Sequence, residues 1–174
     1  MNLRLTVLAL NIILAGAAQA LDVEIHQVTA EGVGAALGTI QLSDTPEGLK
    51  LSPTLKNLPG QVHGFHIHEK PSCAPGEKDG KPGAALSAGG HYDPDHTGKH
   101  EGPAGQGHKG DLPLLKVDAK GNANEAVVAP RLKLADVTGH SLMIHVKGDN
   151  YSDTPEKLGG GGARFACGVV GSAP

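Results

Sequence analysis

A chain of 174 residues with a formal net charge of −3 and 39% hydrophobic residues has the size of one globular domain rather than several. No basic stripe runs along it, and only Phe65, Tyr92, Tyr151 and Phe165 offer rings on which bases could stack, so composition argues against a nucleic-acid partner. Its 26 glycines and 12 prolines break any 3.6-residue pattern before it completes three turns, which leaves helix signals nearly absent.

The first 20 residues, MNLRLTVLALNIILAGAAQA, place one cation at Arg4 before an apolar run from Leu5 to Ala15 and end on Ala18-Gln19-Ala20. That is the pattern of an export signal cleaved after Ala20, and the run is too short to span a bilayer comfortably. Residues 21–174 then form one domain with 14 basic and 18 acidic side chains, and no later apolar stretch is long enough for a membrane helix. Strand-like runs follow at VEIHQV (23–28), GAALGTIQL (34–42), GLKLSPTL (48–55) and HGFHIHE (63–69). DLPLLKV (111–117), NEAVVAP (124–130), SLMIHVK (141–147) and ARFACGVV (163–170) complete them, and turn-rich segments between them favour an antiparallel sandwich or barrel.

Two connections break this spacing, Lys70 to Gly110 and Gly148 to Gly162. A loop of about 40 residues with no regular structure is uncommon in a compact domain and is usually functional or disordered. Cys73 lies near its start. In an exported chain Cys73 and Cys167 are read as one bridge, worth roughly 4–5 kcal/mol in the chain-entropy model; two separate buried thiols are the alternative that a cytosolic chain would favour. The run Gly159 to Gly162 should let the backbone approach closely just before Arg164.

The chemistry concentrates in three places. Side chains alternate across a strand, so in HGFHIHE His66 and His68 project from one face while Phe65 and Ile67 project from the other. In SLMIHVK the same alternation turns Leu142, Ile144 and Val146 inward and His145 outward. The long loop carries HYDPDHTGKHEGPAGQGHKGD (91–111), with four of the ten histidines. His91, His100, His108 and Asp111 are three imidazoles and a carboxylate, a donor set that tetrahedral zinc accepts, and imidazole also suits copper. His96 reads as a solvated loop residue, and His26, His63 and His140 as ordinary structural histidines. The spacing fits no common zinc-finger pattern.

HGFHIHE, the segment from GGHYDP through KHEGPAGQGHKGDLP, LMIHVKGDNYSD and GGGGARFACGVVG are similar in order and spacing to the motifs of copper/zinc superoxide dismutases, particularly the bacterial periplasmic type. The similarity spans nearly the whole chain after the leader. It implies an all-β, eight-stranded Greek-key β-barrel (a flattened sandwich) with a long loop that binds metal and carries the disulfide. It also implies a copper site at His66, His68, His91 and His145 and a zinc site at His91, His100, His108 and Asp111, one ion of each per subunit, with His91 shared. Asp149 matches the carboxylate that orients His66 and His100, Cys73 and Cys167 match the family's disulfide, and Arg164 matches the arginine beside the copper.

The implied activity is conversion of superoxide to dioxygen and hydrogen peroxide by copper redox cycling in the periplasm, with His91 and Arg164 as catalytic residues. On that mechanism His91 leaves copper in the reduced state, takes a proton, stays on zinc and later returns the proton. Because substrate and protein are both anionic, local cations must focus the field. Arg164 is the first candidate, with Lys70, Lys78 and Lys81 as further ones. KGDNYSDTPEKLGGGG, after His145, is short and differs from the charged loop of eukaryotic relatives, and the chain lacks the His-rich N-terminal extension of some bacterial ones. Family members occur as monomers and dimers, and a homodimer is the expectation here. The rival readings are a copper and zinc storage or delivery module, which would not need Arg164, a zinc hydrolase suggested by His-x-His, and thiol catalysis, which the expected disulfide makes remote.

Overall fold

The computed structural model describes residues 19–171, so the expected leader lies outside the described residues except for Gln19 and Ala20. Three long strands open the fold as a meander: β1 (Ala20–Thr29), β2 (Gly32–Thr45) and β3 (Gly48–Leu55). Their inward residues, among them Val23, Ile25, Ile40, Leu42, Leu49 and Leu51, are almost wholly buried, while neighbours such as Glu24, Gln41 and Lys50 face water. This two-residue alternation is what holds their register, because a one-residue slip would turn the apolar set outward.

The chain then crosses to the far side of the sheet. β4 (Val62–His63) and β5 (Phe65–His68) form one strand broken at Gly64, and β5 pairs with β10 (Ser141–His145). The remaining strands are β6 (Gly76–Lys78), β7 (Lys81–Gly83), β8 (Leu115–Lys116), β9 (Val127–Ala129) and β11 (Arg164–Val169). The main sheet runs β5-β10-β11-β1-β2-β3-β9, with β4 paired separately to β8. With β4 and β5 taken together and the β6–β7 hairpin set aside, the curled antiparallel sheet contains the eight strands expected of the barrel. Phe65, Ile67, Leu142, Ile144 and Ala166 join the apolar residues of β1–β3 in its core. Full burial of each large aliphatic or aromatic side chain there stabilises by roughly 1.5–3 kcal/mol.

Three local expectations need correction. Val146 does not face inward but is 45% exposed, because a register shift between Ile144 and His145 interrupts the alternation against β11. His66, His68 and His145 lie on the face opposite the core, yet they are buried, because loop segments cover that face. The segment Lys70 to Gly110 has regular structure of its own, the β6–β7 hairpin and a 3-10 turn at Leu86–Ala88. Among the described residues the single α-helix is one turn, α1 (Leu134–Val137), as the glycine and proline content suggested.

Candidate metal centre

The free edge of β5 explains how a distant loop reaches the His66–His68 strand. The Tyr92 amide donates to Ile67 (2.9 Å), the Ile67 amide to Gly110 (2.8 Å) and the Leu112 amide to Phe65 (3.2 Å). Both ends of the 91–111 loop therefore lie along β5, and isolated bridges pair His68 with His91 and His66 with Asp111. The break at Gly64 serves the opposite side: the His145 amide donates to Gly64 (2.9 Å), while the Gly64 amide donates to Lys147 (2.7 Å). Four ligand-type residues from β5, β10 and the loop thus converge on one point, and the donor atoms of His66, His68, His91 and His145 lie within 4.8 Å of one another.

Hydrogen bonds assign which ring nitrogen each histidine leaves free. His66 donates from Nε2 to Asp149 (2.7 Å), His68 from Nδ1 to the Gly89 carbonyl (3.0 Å), and His145 from Nδ1 to the Gly162 carbonyl (3.0 Å). The opposite nitrogens, His66 Nδ1, His68 Nε2 and His145 Nε2, are buried and have no hydrogen-bond partner, as is His91 Nε2. Buried polar atoms are rarely left so, because an unsatisfied one loses its hydration without replacement. Four such nitrogens facing one another are a set of lone pairs arranged for a cation, of the kind that copper and zinc accept.

A second group lies on the other side of His91. Its Nδ1 is 3.1 Å from Asp111 Oδ1, His100 Nδ1 is 3.0 Å from Asp111 Oδ2, and His108 Nδ1 is 3.6 Å from Asp111 Oδ1. His100 Nδ1 and His108 Nδ1 have no well-formed hydrogen bond, so these atoms and the Asp111 carboxylate form a compact three-nitrogen, one-carboxylate set. On this side the four residues whose ligand atoms all lie within 4.8 Å of one another are His66, His91, His100 and Asp111, with His66 in place of His108. His66 comes close because its ring stacks on His91 at 3.9 Å, but its one free nitrogen already belongs to the first group and its other is engaged by Asp149. With both nitrogens of His66 so engaged, His108 is the remaining imidazole beside Asp111 that has a free buried nitrogen.

Asp149 joins the two groups. Its side chain is 1% exposed and accepts from His66 on one oxygen and from His100 Nε2 at 2.8 Å on the other, with the Tyr151 amide adding a third bond at 2.7 Å. Gly159 permits this arrangement: its φ is +68°, and a Cβ there would overlap the Asp149 carboxylate. The glycine run thus gives close approach to Asp149 and His145, before the chain reaches Arg164.

The electrostatics follow from burial and these bonds. Burial first, then the neighbouring His91, holds His66 and His68 well below the ordinary histidine range, and burial draws His145 down to about 4. Burial likewise lowers His91, against the opposing bond to Asp111. His100 goes the other way. Burial opposes its charge, but the adjacent Asp111 carboxylate and the bond to Asp149 win and raise it to about 9. Burial alone would raise Asp111 and Asp149, yet the surrounding imidazoles hold both far below the usual carboxylate range. Metal binding requires neutral imidazoles and ionised carboxylates, so His100, whose proton the two carboxylates hold, is the ring that must give one up when a metal binds.

The first group opens to solvent through a cavity of about 320 Å³ lined by His68, His91, His145, Arg164 and Lys78 together with small and apolar residues. Arg164 donates to the carbonyls of Ala85 and Gly89, which fixes the guanidinium at this mouth. The Cys73–Cys167 disulfide, with a Cα separation of 5.7 Å, ties the start of the loop to β11. Lys70 and Lys81 are exposed and do not line the cavity. His96 is exposed, and His140 packs on Tyr92, as structural readings of both anticipated.

Sequence reasoning missed two contributors. His63 is the structural histidine expected, in a role the sequence did not specify: its ring nitrogens contact the carbonyls of His145 (2.6 Å) and Pro59 (2.5 Å), bracing the strand that carries His145. Arg131 donates to the carbonyls of Pro103 (3.2 Å), Gly107 (3.0 Å), Gly102 (3.4 Å) and His108. Its only sequence signal was a lone cation after a proline, which says nothing of carbonyl partners more than 20 residues away.

Comparison with known proteins agrees with this geometry. The sequence profile of the family described as copper/zinc superoxide dismutase matches residues 36–170. The chain is 54% identical over 167 residues to a superoxide dismutase [Cu-Zn] of Escherichia coli (strain K12), covering 95% of this chain and 96% of that one. It is 55% identical over 170 residues to superoxide dismutase [Cu-Zn] 2 of Salmonella typhimurium, covering 96% and 98%. Among solved structures, the Cu/Zn superoxide dismutase from Brucella abortus superposes with a TM-score of 0.86 at 55% identity, covering 87% of this chain and 99% of that one. The monomeric copper, zinc superoxide dismutase from Salmonella enterica gives 0.79 at 57% identity, with the same coverage.

Proposed function

Because the chain belongs to the copper/zinc superoxide dismutase family, we propose that His66, His68, His91 and His145 hold its copper and that His91, His100, His108 and Asp111 hold its zinc. The activity is the conversion of superoxide to dioxygen and hydrogen peroxide. Copper supplies, when bound, the one-electron couple that oxidises one superoxide and reduces the next, whereas zinc has no redox change of its own. The observation that carries the residue assignment is the set of buried, partnerless ring nitrogens on His66, His68, His91, His100, His108 and His145, and in all of these but His108 the opposite nitrogen has a fixed acceptor.

The remaining parts of the reaction fall to the protein. His91 is the one imidazole with a nitrogen in each group, so Nε2 can hold a proton for the peroxide product while Nδ1 stays beside Asp111. Asp149 fixes the rings of His66 and His100 together, and such outer carboxylates typically change metal affinity 10- to 100-fold when removed. Arg164, anchored on two carbonyls, presents its remaining guanidinium hydrogens to the cavity and attracts a small anion to the metal centre although the whole protein is negative. Lys78 at the same mouth adds to that field.

We further propose that residues 1–20 direct export to the periplasm and are removed, leaving 21–174 as the working domain. N-terminal sequencing of the purified protein tests this, with Leu21 as the expected first residue. A homodimer is the assembly expected of the mature chain; the Salmonella enterica neighbour is described as monomeric, so light scattering of this protein decides between them.

Metal analysis and spectroscopy of the purified protein, followed by a superoxide assay before and after selective copper removal, test the whole assignment. The expected result is one copper and one zinc per chain and activity that disappears with copper. A protein that turns over with zinc alone is a hydrolase-type centre, and one that binds both ions without turnover is a metal store. Either outcome overturns the reading.

A further inference from the structure

The cavity above the first histidine group is larger and more apolar than a diatomic anion requires. Its 320 Å³ corresponds to roughly ten water volumes and falls at the lower end of the range for small-molecule sites. Ala84 and Leu86 line it from the disulfide-bearing loop, and Leu158 and Ala163 from the glycine-rich loop. Two positively charged side chains, Arg164 and Lys78, share the lining, and no carboxylate does among the described residues. Glu69, which lies near enough to act on Arg164, is itself held by the Gly90 amide at 3.0 Å.

Both leucines occupy fixed positions. Leu158 adopts the left-handed region (φ 55°, ψ 43°) although glycines follow it directly, and it is 41% exposed. Leu86 follows Ala85, which is also left-handed (φ 50°, ψ 24°) and whose carbonyl accepts from Arg164. A non-glycine residue in that region is disfavoured by of order 1 kcal/mol or more and persists where the surroundings impose it, commonly at functional sites. The Leu158 amide donates to Asp153 (3.1 Å), whose other oxygen accepts from the His100 amide (2.9 Å). On the facing side the Ser87 hydroxyl donates to the Pro75 carbonyl (2.7 Å). The walls are thus pinned to the zinc-side loop and to the hairpin loop.

We propose that this mouth is also a binding site for small amphiphilic organic anions, a monocarboxylate with a short apolar chain being the simplest. The carboxylate is held by Arg164, which keeps three of its five N–H donors after bonding Ala85 and Gly89, and by the field of Lys78. The chain lies between Leu86 and Leu158. Such an anion occupies the approach to His91 and His145 and competes with superoxide. Dismutation itself needs no apolar wall, so this binding goes beyond the reaction and can fail without affecting it.

Calorimetry on the metal-loaded protein with the straight-chain series from acetate to heptanoate is the test, with hexanol as the neutral control. The head group is constant along the series, so direct attachment of the carboxylate to metal cannot produce a chain-length effect. Affinity is expected to rise about fourfold per methylene until the cavity is full, and inhibition of superoxide turnover should follow the same series. In the Leu86→Ser, Leu158→Ser double variant the rise should flatten while acetate binding stays within about twofold. Equal affinities across the series, a slope that survives in the double variant, or hexanol binding as tightly as hexanoate would each overturn the proposal. Uninhibited turnover, measured without carboxylate, reports separately on the dismutase reading.

Discussion

Arg131 lies outside both histidine groups, yet it holds the loop that supplies His108. Its guanidinium gathers four carbonyls from residues 102–108, while the amides of Glu101 and Gly102 donate to Asp111 at 3.3 and 3.2 Å. The loop is therefore clamped from outside through its carbonyls and from inside through its amides. Arg131→Met removes the outer clamp. Bonds from a charged donor contribute roughly 1.5–3 kcal/mol each, but they are not additive and water can reach a half-buried site, so a total loss of about 3 kcal/mol is the working figure. If ordering of this loop is required for zinc binding, that loss lowers zinc affinity about a hundredfold. Copper affinity should fall much less, since three of its four proposed ligands, His66, His68 and His145, come from strands outside the loop. Competition titrations with chelators on wild type, Arg131→Met and Arg131→Lys measure this. Lysine, a point charge without the planar fork, should fall in between. Zinc affinity of the methionine variant within threefold of wild type, or equal losses for both metals, would refute the clamp.

The other predictions concern pH, the outer carboxylate, the field and the disulfide. In protein stripped of metal, His100, raised to about 9, contributes stability that is complete below 6.5 and is lost as pH rises through 9. His145, depressed to about 4, destabilises the fold as pH falls from 6.5 toward 4, because the unfolded chain takes up a proton that the folded state refuses. The melting temperature should therefore peak near pH 6.5, and His100→Gln should remove the alkaline decline; a flat profile from pH 5 to 9 would contradict both shifts. Asp149→Asn should weaken both metals by 10- to 100-fold, and loss of only one would show that the carboxylate does not join the groups. Lys78→Glu should slow superoxide turnover and reduce its salt dependence, whereas Lys70→Glu, outside the cavity lining, should leave both unchanged in stopped-flow assays. Cys73→Ser should destabilise by about 2–5 kcal/mol in denaturant titrations and speed metal loss on dialysis, since the tethered loop supplies the Gly89 carbonyl to both His68 and Arg164.

What could be read from the sequence was whatever repeats locally. GLKLSPTL coincides with β3 residue for residue, because a strand with one buried face writes its period into the chain. Alternation also separated Phe65 and Ile67 from His66 and His68. It failed at Val146, where a bulge set by the partner strand reverses the facing, and the partner's register is invisible in SLMIHVK itself. The loop group of His91, His100, His108 and Asp111, with His96 set aside, was readable as a donor set from its residues, but that His91 should be common to two metal sites came from resemblance, since spacing says nothing of it. Arg131 and His63 escaped for another reason. Both act through backbone carbonyls, which every residue possesses, so no side-chain pattern marks their partners.

The irregularities of the fold and the ligands of the centre coincide, and the same physics accounts for both. An unbroken strand through β4 and β5 and a regular β10–β11 pair would leave His66 and His145 in positions dictated by the sheet alone. Instead the strand breaks at Gly64 immediately before β5, and β10 shifts its register against β11 between Ile144 and His145. A Cβ at Gly64 would sit 3.2 Å from the His66 ring, tighter than ordinary contact, so the glycine at the break also leaves that ring room to keep its orientation. The backbone groups released from the ladder are reused across the gap, by Gly64 with Lys147 and by His145 with Gly64, which avoids unsatisfied buried amides. The apolar face of these strands keeps its register through Phe65, Ile67, Leu142 and Ile144, so the core can support an opposite face whose geometry follows the metal centre rather than the pleat.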